Sequence, residues 1–127
     1  MVGKSHRFHG YGSLNRVYKQ AQKVTGAQLT LKYTPNPKRS TYRIAVVVSK
    51  KVSKSAVTRN RIRRRIYEQI RLLENQISGS FDLVFIVYGS DLVDLPPNKL
   101  HDLIQSLLIK SQVVPKNQSA HDIVSER

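Results

Sequence analysis

A stripe of isoleucine and leucine at helical spacing runs through the most basic part of this chain. The stripe recurs every three or four positions over residues 56–76 and just beyond, and comprises Ile62, Ile66, Ile70, Leu73 and Ile77. This spacing predicts a helix that buries one side against a core. Five arginines stand within residues 59–65, where like charges oppose helix formation unless a polyanion neutralises them. The same helix is therefore expected to pack inward and to bind a polyanion outward.

The helical spacing also assigns the polar residues to sides of this helix. The side opposite the stripe is predicted to carry Asn60, Arg64, Tyr67 and Arg71, with Arg61, Arg65 and Glu68 on one flank and Arg63 on the other. A merely solvated helix would usually pair its cations with acids, and the first turns here have none. A basic-zipper dimer would need a longer heptad repeat than the stripe offers before Ser78. We therefore favour a globular protein that binds nucleic acid.

The two halves of the sequence differ sharply in charge. Residues 1–67 hold 17 Lys and Arg and no acid, whereas residues 68–127 hold 5 Lys and Arg and all 8 acids. A surface selected only for solubility would mix the signs, so this segregation indicates a face that meets phosphates. Polybasic docking on a membrane is the weaker alternative, and no apolar run approaches the roughly 20 residues that span a bilayer.

The chain has no cysteine, which excludes disulfides and thiolate zinc sites and fits a cytoplasmic location. The N-terminal residues lack the apolar region of a secretory signal. A nuclease acting alone would need carboxylates or a general base, and the basic half has no carboxylate. We assign Asp91, Asp94 and Asp102 structural roles, and His6 and His9 lack a third metal ligand nearby. A self-sufficient nuclease, which would cleave RNA without any RNA partner, is kept as a further hypothesis.

The remaining patterns predict a small α+β protein. An N-terminal helix is expected over residues 13–23, with Ser13 as its cap. Alternation predicts a strand over residues 27–34, and an apolar run predicts a second over 41–49; we expect these two to form an antiparallel hairpin around a turn at 34–40. An extra short strand is expected near residues 24–33. A buried strand over 81–88, a loop over 92–97 and a last helix over 98–111 complete the order.

The run VSKKVSKSAVTRNRIRRRIYE, residues 48–68, resembles the signature of the bacterial ribonuclease P protein subunit. It contains the Ser49-Lys50-Lys51 step, a short link, and Arg59-Asn60-Arg61 followed by one apolar and two basic residues. Other stretches agree with the same family: Arg7-Phe8, Val17-Tyr18-Lys19 and the strand FDLVFIV. The resemblance extends over about residues 7–110.

This resemblance implies a fold that goes beyond the local patterns. It implies one RNA-binding domain over residues 1–112, followed by a flexible tail over 113–127. The domain would be an α+β two-layer sandwich in the order α-β-β-β-α-β-α. Its mixed sheet would contain a left-handed β-α-β crossover, against the usual rule for such connections. The protein is expected to be monomeric without RNA.

The resemblance also implies a function. The protein would bind a catalytic RNA and the 5′ leader of precursor tRNA, and the RNA with Mg²⁺ would remove the leader; no protein residue would be catalytic or hold Mg²⁺ tightly. The implied contacts to the catalytic RNA are Lys50, Lys51, Arg59, Asn60, Arg61, Arg63, Arg64 and Arg65, the last at a position that is usually apolar in the family. The implied leader cleft comprises Leu14, Tyr18, Lys32, Val47 and Tyr67. A structural protein of the ribosomal type is the alternative that remains open.

Overall fold

A computed structural model describes residues 21–36, 41–77, 79–111 and 113 of the 127-residue chain. Its elements are β1 (Gln22–Gly26), β2 (Leu29–Pro35), β3 (Arg43–Val48), α1 (Ala56–Leu73), β4 (Phe81–Val87) and α2 (Pro97–Lys110), with short 3₁₀ turns at Glu74–Gln76 and Ser90–Val93. The order β-β-β-α-β-α confirms the α+β prediction over the described part. Residues 13–20 of the predicted N-terminal helix lie outside the described part of the chain. Its predicted end at residue 23 is wrong, because Gln22 and Lys23 belong to β1.

The four strands form one mixed sheet in the order β1-β2-β4-β3. Strand β4 pairs antiparallel with β2 and parallel with β3, so the predicted hairpin between β2 and β3 is wrong. The physical reason is the sequence FDLVFIV, which is buried at five of seven positions and therefore takes the central place in the sheet. The hairpin instead joins β1 to β2. Its tight turn has Gln28 in the left-handed region at φ 59°.

Both described helices share one hydrophobic core with the inner face of the sheet. The stripe of α1 is buried as predicted at Ile62, Ile66, Ile70 and Leu73, and it packs with strand residues such as Val46 and Phe85. From α2, the core receives Leu100, Ile104, Leu107 and Leu108, while Leu103 is only half-buried. Gly26 of β1 lies so close to α2 that an added Cβ would stand 2.9 Å from Leu103 Cδ1.

Helix α1 connects the parallel pair β3 and β4, which confirms the predicted β-α-β unit; its left-handed course stays a prediction. The helix begins where Ser55 caps it, since Ser55 Oγ accepts a hydrogen bond of 3.2 Å from Thr58 N. After Leu73 the chain continues through the 3₁₀ turn to Gln76, which matches the predicted end.

Several predicted boundaries differ from the structure by a few residues. Strand β2 begins at Leu29 because the two preceding residues form the turn, and it extends through Pro35 because Thr34 and Pro35 still pair with β4. Strand β4 ends at Val87 and leaves Tyr88 exposed. At the C-terminus, Val113 is fully buried against the core, and residues 114–127 lie outside the described part.

Candidate nucleic-acid interface

The connection between β3 and α1 presents the first cations of the candidate interface. Ser49 O accepts from Val52 N at 3.1 Å, which closes a turn with Lys50 and Lys51 exposed at its tip. Arg59 Nη1 donates 2.9 Å to Ser53 O, so this half-buried arginine holds the connection against the first turn of the helix. The two lysines therefore stand on a turn that the neighbouring arginine helps to order.

Some polar and basic residues of helix α1 are exposed to solvent, and others are held by hydrogen bonds to the protein. Asn60, Arg61, Arg64 and Arg71 are exposed, as the helical spacing predicts. Arg61 and Arg64 have no hydrogen-bond partner among the described residues, so their guanidinium groups face solvent with all donors available. The prediction that Tyr67 lies opposite the stripe is wrong, because its ring is half-buried and packs against the core beside the stripe.

Arg63 and Arg65 are held by other groups of the protein. Arg63 Nη2 donates to Asn60 Oδ1 three residues earlier on the same helix. Arg65 donates through Nη1 to Leu92 O and through Nη2 to Leu95 O. Arg65 thus links the segment before α2 to α1. The sequence predicted Arg65 only as an RNA contact and did not predict this contact within the protein.

A groove of about 420 Å³ lies between α1 and the beginning of α2. It is lined by Arg61, Arg64, Arg65, Glu68, Gln69 and Pro97. The carboxylate of Glu68 accepts hydrogen bonds of 2.7 and 2.9 Å from Arg71 Nε and Nη2, and this contact lowers the pKa of Glu68. The groove therefore combines three arginines with one acid whose charge is already paired, which makes it attractive to phosphates.

The residues predicted for a leader cleft fall into three places. Leu14 and Tyr18 lie outside the described residues. Lys32 and Val47 belong to the outer face of the sheet, in adjacent cross-strand rows: Lys32 stands opposite Val84, and Val47 stands beside Ile86. Tyr67 packs on the inner, helical side. The structure thus brings Lys32 and Val47 onto one surface but does not place Tyr67 there.

Three residues that the sequence did not single out also shape this region. Asp82 is buried in β4 and accepts hydrogen bonds from Arg43 of the neighbouring strand and from Asn36. An acid inside an otherwise apolar strand was a sequence signal that a basic or amide side chain lies beside it.

None of the helices in the described part of the chain is both long and apolar enough to cross a bilayer. Within the same part, no three His, Cys, Asp or Glu side chains gather as metal ligands do.

Comparison with known proteins identifies the family to which this arrangement belongs. The model of the family described as Ribonuclease P matches residues 2–111. The chain belongs to the ribonuclease P protein family. The ribonuclease P protein component of Chloroflexus aurantiacus is 33% identical over 112 residues, which cover 88% of this chain and 82% of the relative. That of Roseiflexus castenholzii is 34% identical over 111 residues, covering 87% of this chain and 89% of the relative.

Among solved structures, the ribonuclease P protein of Staphylococcus aureus has the same fold. Its TM-score is 0.77 at 24% identity, and the match covers 87% of this chain and 99% of the S. aureus chain. Membership of the ribonuclease P family and the mixed sheet with its β-α-β unit confirm the resemblance that residues 48–68 indicated.

Proposed function

We propose that this protein is the protein subunit of ribonuclease P, which binds a catalytic RNA and precursor tRNA and assists removal of the 5′ leader. The observation that carries the proposal is the pair Arg61 and Arg64, exposed and without hydrogen-bond partners among the described residues, on a helix of a chain that belongs to the ribonuclease P family. Two unpaired guanidinium groups with no acid in the preceding turns of α1 are poised to bind phosphate oxygens in bidentate fashion.

The contacts to the catalytic RNA are proposed for both the turn and the helix. Lys50 and Lys51 on the turn, and Arg61 and Arg64 on the helix, are exposed and therefore available to phosphates. Arg59, Asn60, Arg63 and Arg65 remain in the proposed set, but with different contributions. Because Arg59 and Arg65 donate to backbone carbonyl groups, they serve chiefly to hold the turn and the loop that frame the RNA-binding surface.

The 5′ leader is proposed to cross the outer face of the sheet. Lys32 and Val47 lie on that face, one supplying charge and the other an apolar surface for a ribose or base. Leu14, Tyr18 and Tyr67 complete the proposed cleft by family resemblance. Lys32→Ala is expected to weaken binding of leader-bearing precursor tRNA and to leave binding of mature tRNA unchanged. Equal losses for both RNAs would remove Lys32 from the leader path.

The hydrolytic chemistry is proposed to reside in the RNA, with Mg²⁺ bound there rather than by the protein. This proposal draws on the engagement of four of the six described carboxylates by other side chains: Asp82 accepts from Arg43, Glu68 from Arg71, Glu74 from Tyr42 and Asp91 from Gln28. Mg²⁺ held by RNA would supply the activated water and neutralise charge at the scissile phosphate. The role of the protein would be to align the two RNAs.

The first test mixes the purified chain with catalytic RNA and precursor tRNA at low Mg²⁺. We expect the chain to stimulate leader removal and to show no cleavage without the RNA. Cleavage by the nucleic-acid-free chain would instead establish a self-sufficient nuclease. Binding to ribosomal RNA with no stimulation would favour the ribosomal alternative.

The second test measures how binding of the catalytic RNA depends on salt. Replacing both Arg61 and Arg64 by alanine should weaken binding and reduce the slope of log K against log salt by about 1.4 to 1.8, since each lost phosphate contact removes about 0.7 to 0.9. Lys110→Ala is the matched control, because this exposed lysine ends α2, at the far end from the groove. An unchanged slope in the double variant would show that these arginines do not contact phosphates.

We also propose that the protein is monomeric without RNA and acts in the cytoplasm. A positive net charge of 14 disfavours self-association of free chains, and the absence of cysteine suits a reducing compartment. Sedimentation of the RNA-free protein at physiological salt should give the mass of one chain. A dimer that persists on dilution would contradict this part of the proposal.

A further inference from the structure

Tyr88 is an exposed aromatic residue at the end of the central strand. Its relative exposure is 59%, among the largest of the apolar and aromatic side chains in the described part of the chain. The preceding strand buries most of its residues, so the exposure begins abruptly at this position. A single exposed ring is ordinary on a protein surface, so the groups that surround Tyr88 decide whether it can bind a ligand.

The backbone at Tyr88 is held in place although the side chain is exposed. Tyr88 N donates 2.8 Å to Gln28 O, which continues the ladder between β2 and β4 by one step. The Gln28 side chain lies directly on Gly89, where an added Cβ would stand 2.0 Å from Gln28 Oε1. Gln28 Nε2 also donates 2.9 Å to Asp91 Oδ2. The ring is therefore presented from an ordered backbone, and binding would cost little conformational entropy.

The parallel register places this ring beside the exposed lysines. Val48 and Val87 are partners at the ends of β3 and β4, so Ser49 and Tyr88 leave the sheet side by side at the same end. Lys50 and Lys51 follow on the turn after Ser49. The alternation of β4 also gives Tyr88 the same face as Ile86, the cross-strand neighbour of Val47. By register and alternation, Tyr88 thus lies on the outer face of the sheet, next to the residue at which the lysine turn begins.

We propose that Tyr88 is a stacking platform for an unpaired nucleobase of RNA, with Lys50 and Lys51 holding the adjacent phosphates. An aromatic ring flanked by cations is the usual arrangement by which proteins hold single-stranded nucleic acid. The unpaired base belongs either to the 5′ leader or to a single-stranded part of the catalytic RNA. The inference rests on the proposed RNA-binding function but assigns a residue and a type of contact that this function does not require.

The principal experiment compares variants of the full chain in binding to catalytic RNA and to precursor tRNA in the holoenzyme. Tyr88→Ala should weaken binding of the RNA that supplies the base by about 5-fold to 100-fold, the range expected for loss of one stacked base. Tyr88→Phe keeps the ring and should remain within about twofold of the wild type. Leu72→Ala is the matched control, because Leu72 is also exposed, at 56%, but lies on α1 away from this corner.

The salt dependence separates stacking from charge. Loss of a stacked ring releases no counterions, so Tyr88→Ala should leave the slope of log K against log salt unchanged, whereas Lys50→Ala should reduce it by about 0.7. Because the chain has no tryptophan, Tyr88→Trp introduces a single fluorescent reporter. Its fluorescence should be quenched by whichever RNA supplies the base: a leader oligoribonucleotide in one arm, and the catalytic RNA alone in the other.

The outcomes distinguish the inference from the function on which it rests. If the wild type and Leu72→Ala bind RNA but Tyr88→Ala binds equally well, the stacking platform is wrong and the RNA-binding function stands. If Tyr88→Phe loses as much as Tyr88→Ala, the hydroxyl group and not the ring makes the contact, which also overturns the proposal. If Tyr88→Ala unfolds, Tyr88→Phe together with an unquenched Tyr88→Trp reporter decides against it in the same way.

Discussion

Arg43 and Asp82 join the two parallel strands through a bidentate ion pair, with Nε to Oδ1 and Nη2 to Oδ2 both at 2.9 Å. Asp82 is fully buried and the Arg43 side chain is 12% exposed. Asn36 Nδ2 adds hydrogen bonds of 3.2 and 3.1 Å to the two carboxylate oxygens. The carboxylate therefore holds β3, β4 and the end of β2 together at one end of these strands.

Removing the carboxylate should destabilise the fold strongly. Asp82→Ala leaves a largely buried guanidinium without its counter-ion, which typically costs about 3–5 kcal/mol in unfolding free energy. Urea denaturation of the RNA-free protein measures this change. Asp102→Asn is the control, because Asp102 is exposed on α2 and should stay within about 0.5 kcal/mol of the wild type. A loss below about 1 kcal/mol for Asp82→Ala would mean that water solvates Arg43 in its place.

Tyr42 should make the stability of the protein sensitive to alkaline pH. Burial, and then the hydrogen bond of 2.9 Å that its hydroxyl donates to Glu74 Oε1, raise the pKa of Tyr42 well above its usual range. The neutral phenol is thus favoured in the folded state, so its contribution is complete below the unfolded pKa of about 10 and declines as the pH rises further.

The variant Tyr42→Phe isolates this effect. At pH 7 it should lose about 0.5–1.5 kcal/mol, the usual value of one hydrogen bond. Between pH 9 and pH 11 the wild type should lose about 1.4 kcal/mol more than the variant, because only the wild type gains an ionisable phenol on unfolding. Parallel urea titrations of the two proteins measure the difference. A constant difference across this pH range would contradict the assignment.

Arg65 should matter more to stability than to RNA affinity, whereas Arg64 should show the reverse. Arg65→Ala removes the donors to Leu92 O and Leu95 O, which should lower the unfolding free energy by about 1–3 kcal/mol. Arg64→Ala removes an exposed side chain and should change stability by less than about 0.5 kcal/mol while weakening RNA binding. Denaturation and RNA-binding titrations on both variants provide the comparison. Equal stability of the two variants would show that the carbonyl contacts contribute little.

Neutralising Glu68 should strengthen RNA binding. Glu68 is the one acid among the described side chains that line the groove; it is ionised at neutral pH, and the hydrogen bond from Arg71 lowers its pKa further. Glu68→Gln should therefore raise affinity for the catalytic RNA by about twofold to fivefold, as expected for one exposed charge. Asp102→Asn serves as the control for a charge outside the groove. The advantage should fade as the pH falls through the lowered pKa of Glu68, where the wild type also becomes neutral.

The sequence alone predicted helix α1 correctly because the residues that determine the helix lie within it or directly beside it. The isoleucine stripe lies within the helix itself, and the prediction that it is buried was confirmed; the cap at Ser55 stands directly beside the helix. The same local rules also placed Arg61 and Arg64 in solvent. What they could not supply is the partner of Arg65, since the loop that meets it comes some 27 residues later in the chain.

The strand order was beyond local reasoning for a similar cause. Nothing within β2 or β3 indicates that β4 inserts between them; the preference of FDLVFIV for a site buried on both faces decides it. The prediction that the buried strand includes Tyr88 was wrong for its side chain: β4 ends at Val87, and although Tyr88 N still bonds to Gln28 O, the ring is exposed. Exposure at the end of a strand depends on what the neighbouring strands cover.

The central position of β4 has a consequence for how the protein is made. All 17 cations of residues 1–67 are synthesised before Phe81, the first residue of the strand that unites the sheet. Until β4 has left the ribosome, β3 has no neighbour among the described strands and β2 has only β1, so the emerging basic segment cannot complete the described sheet. Fragments that stop short of residue 81 should therefore remain open polycations that bind RNA without discrimination. Selectivity would arise only when translation is almost finished.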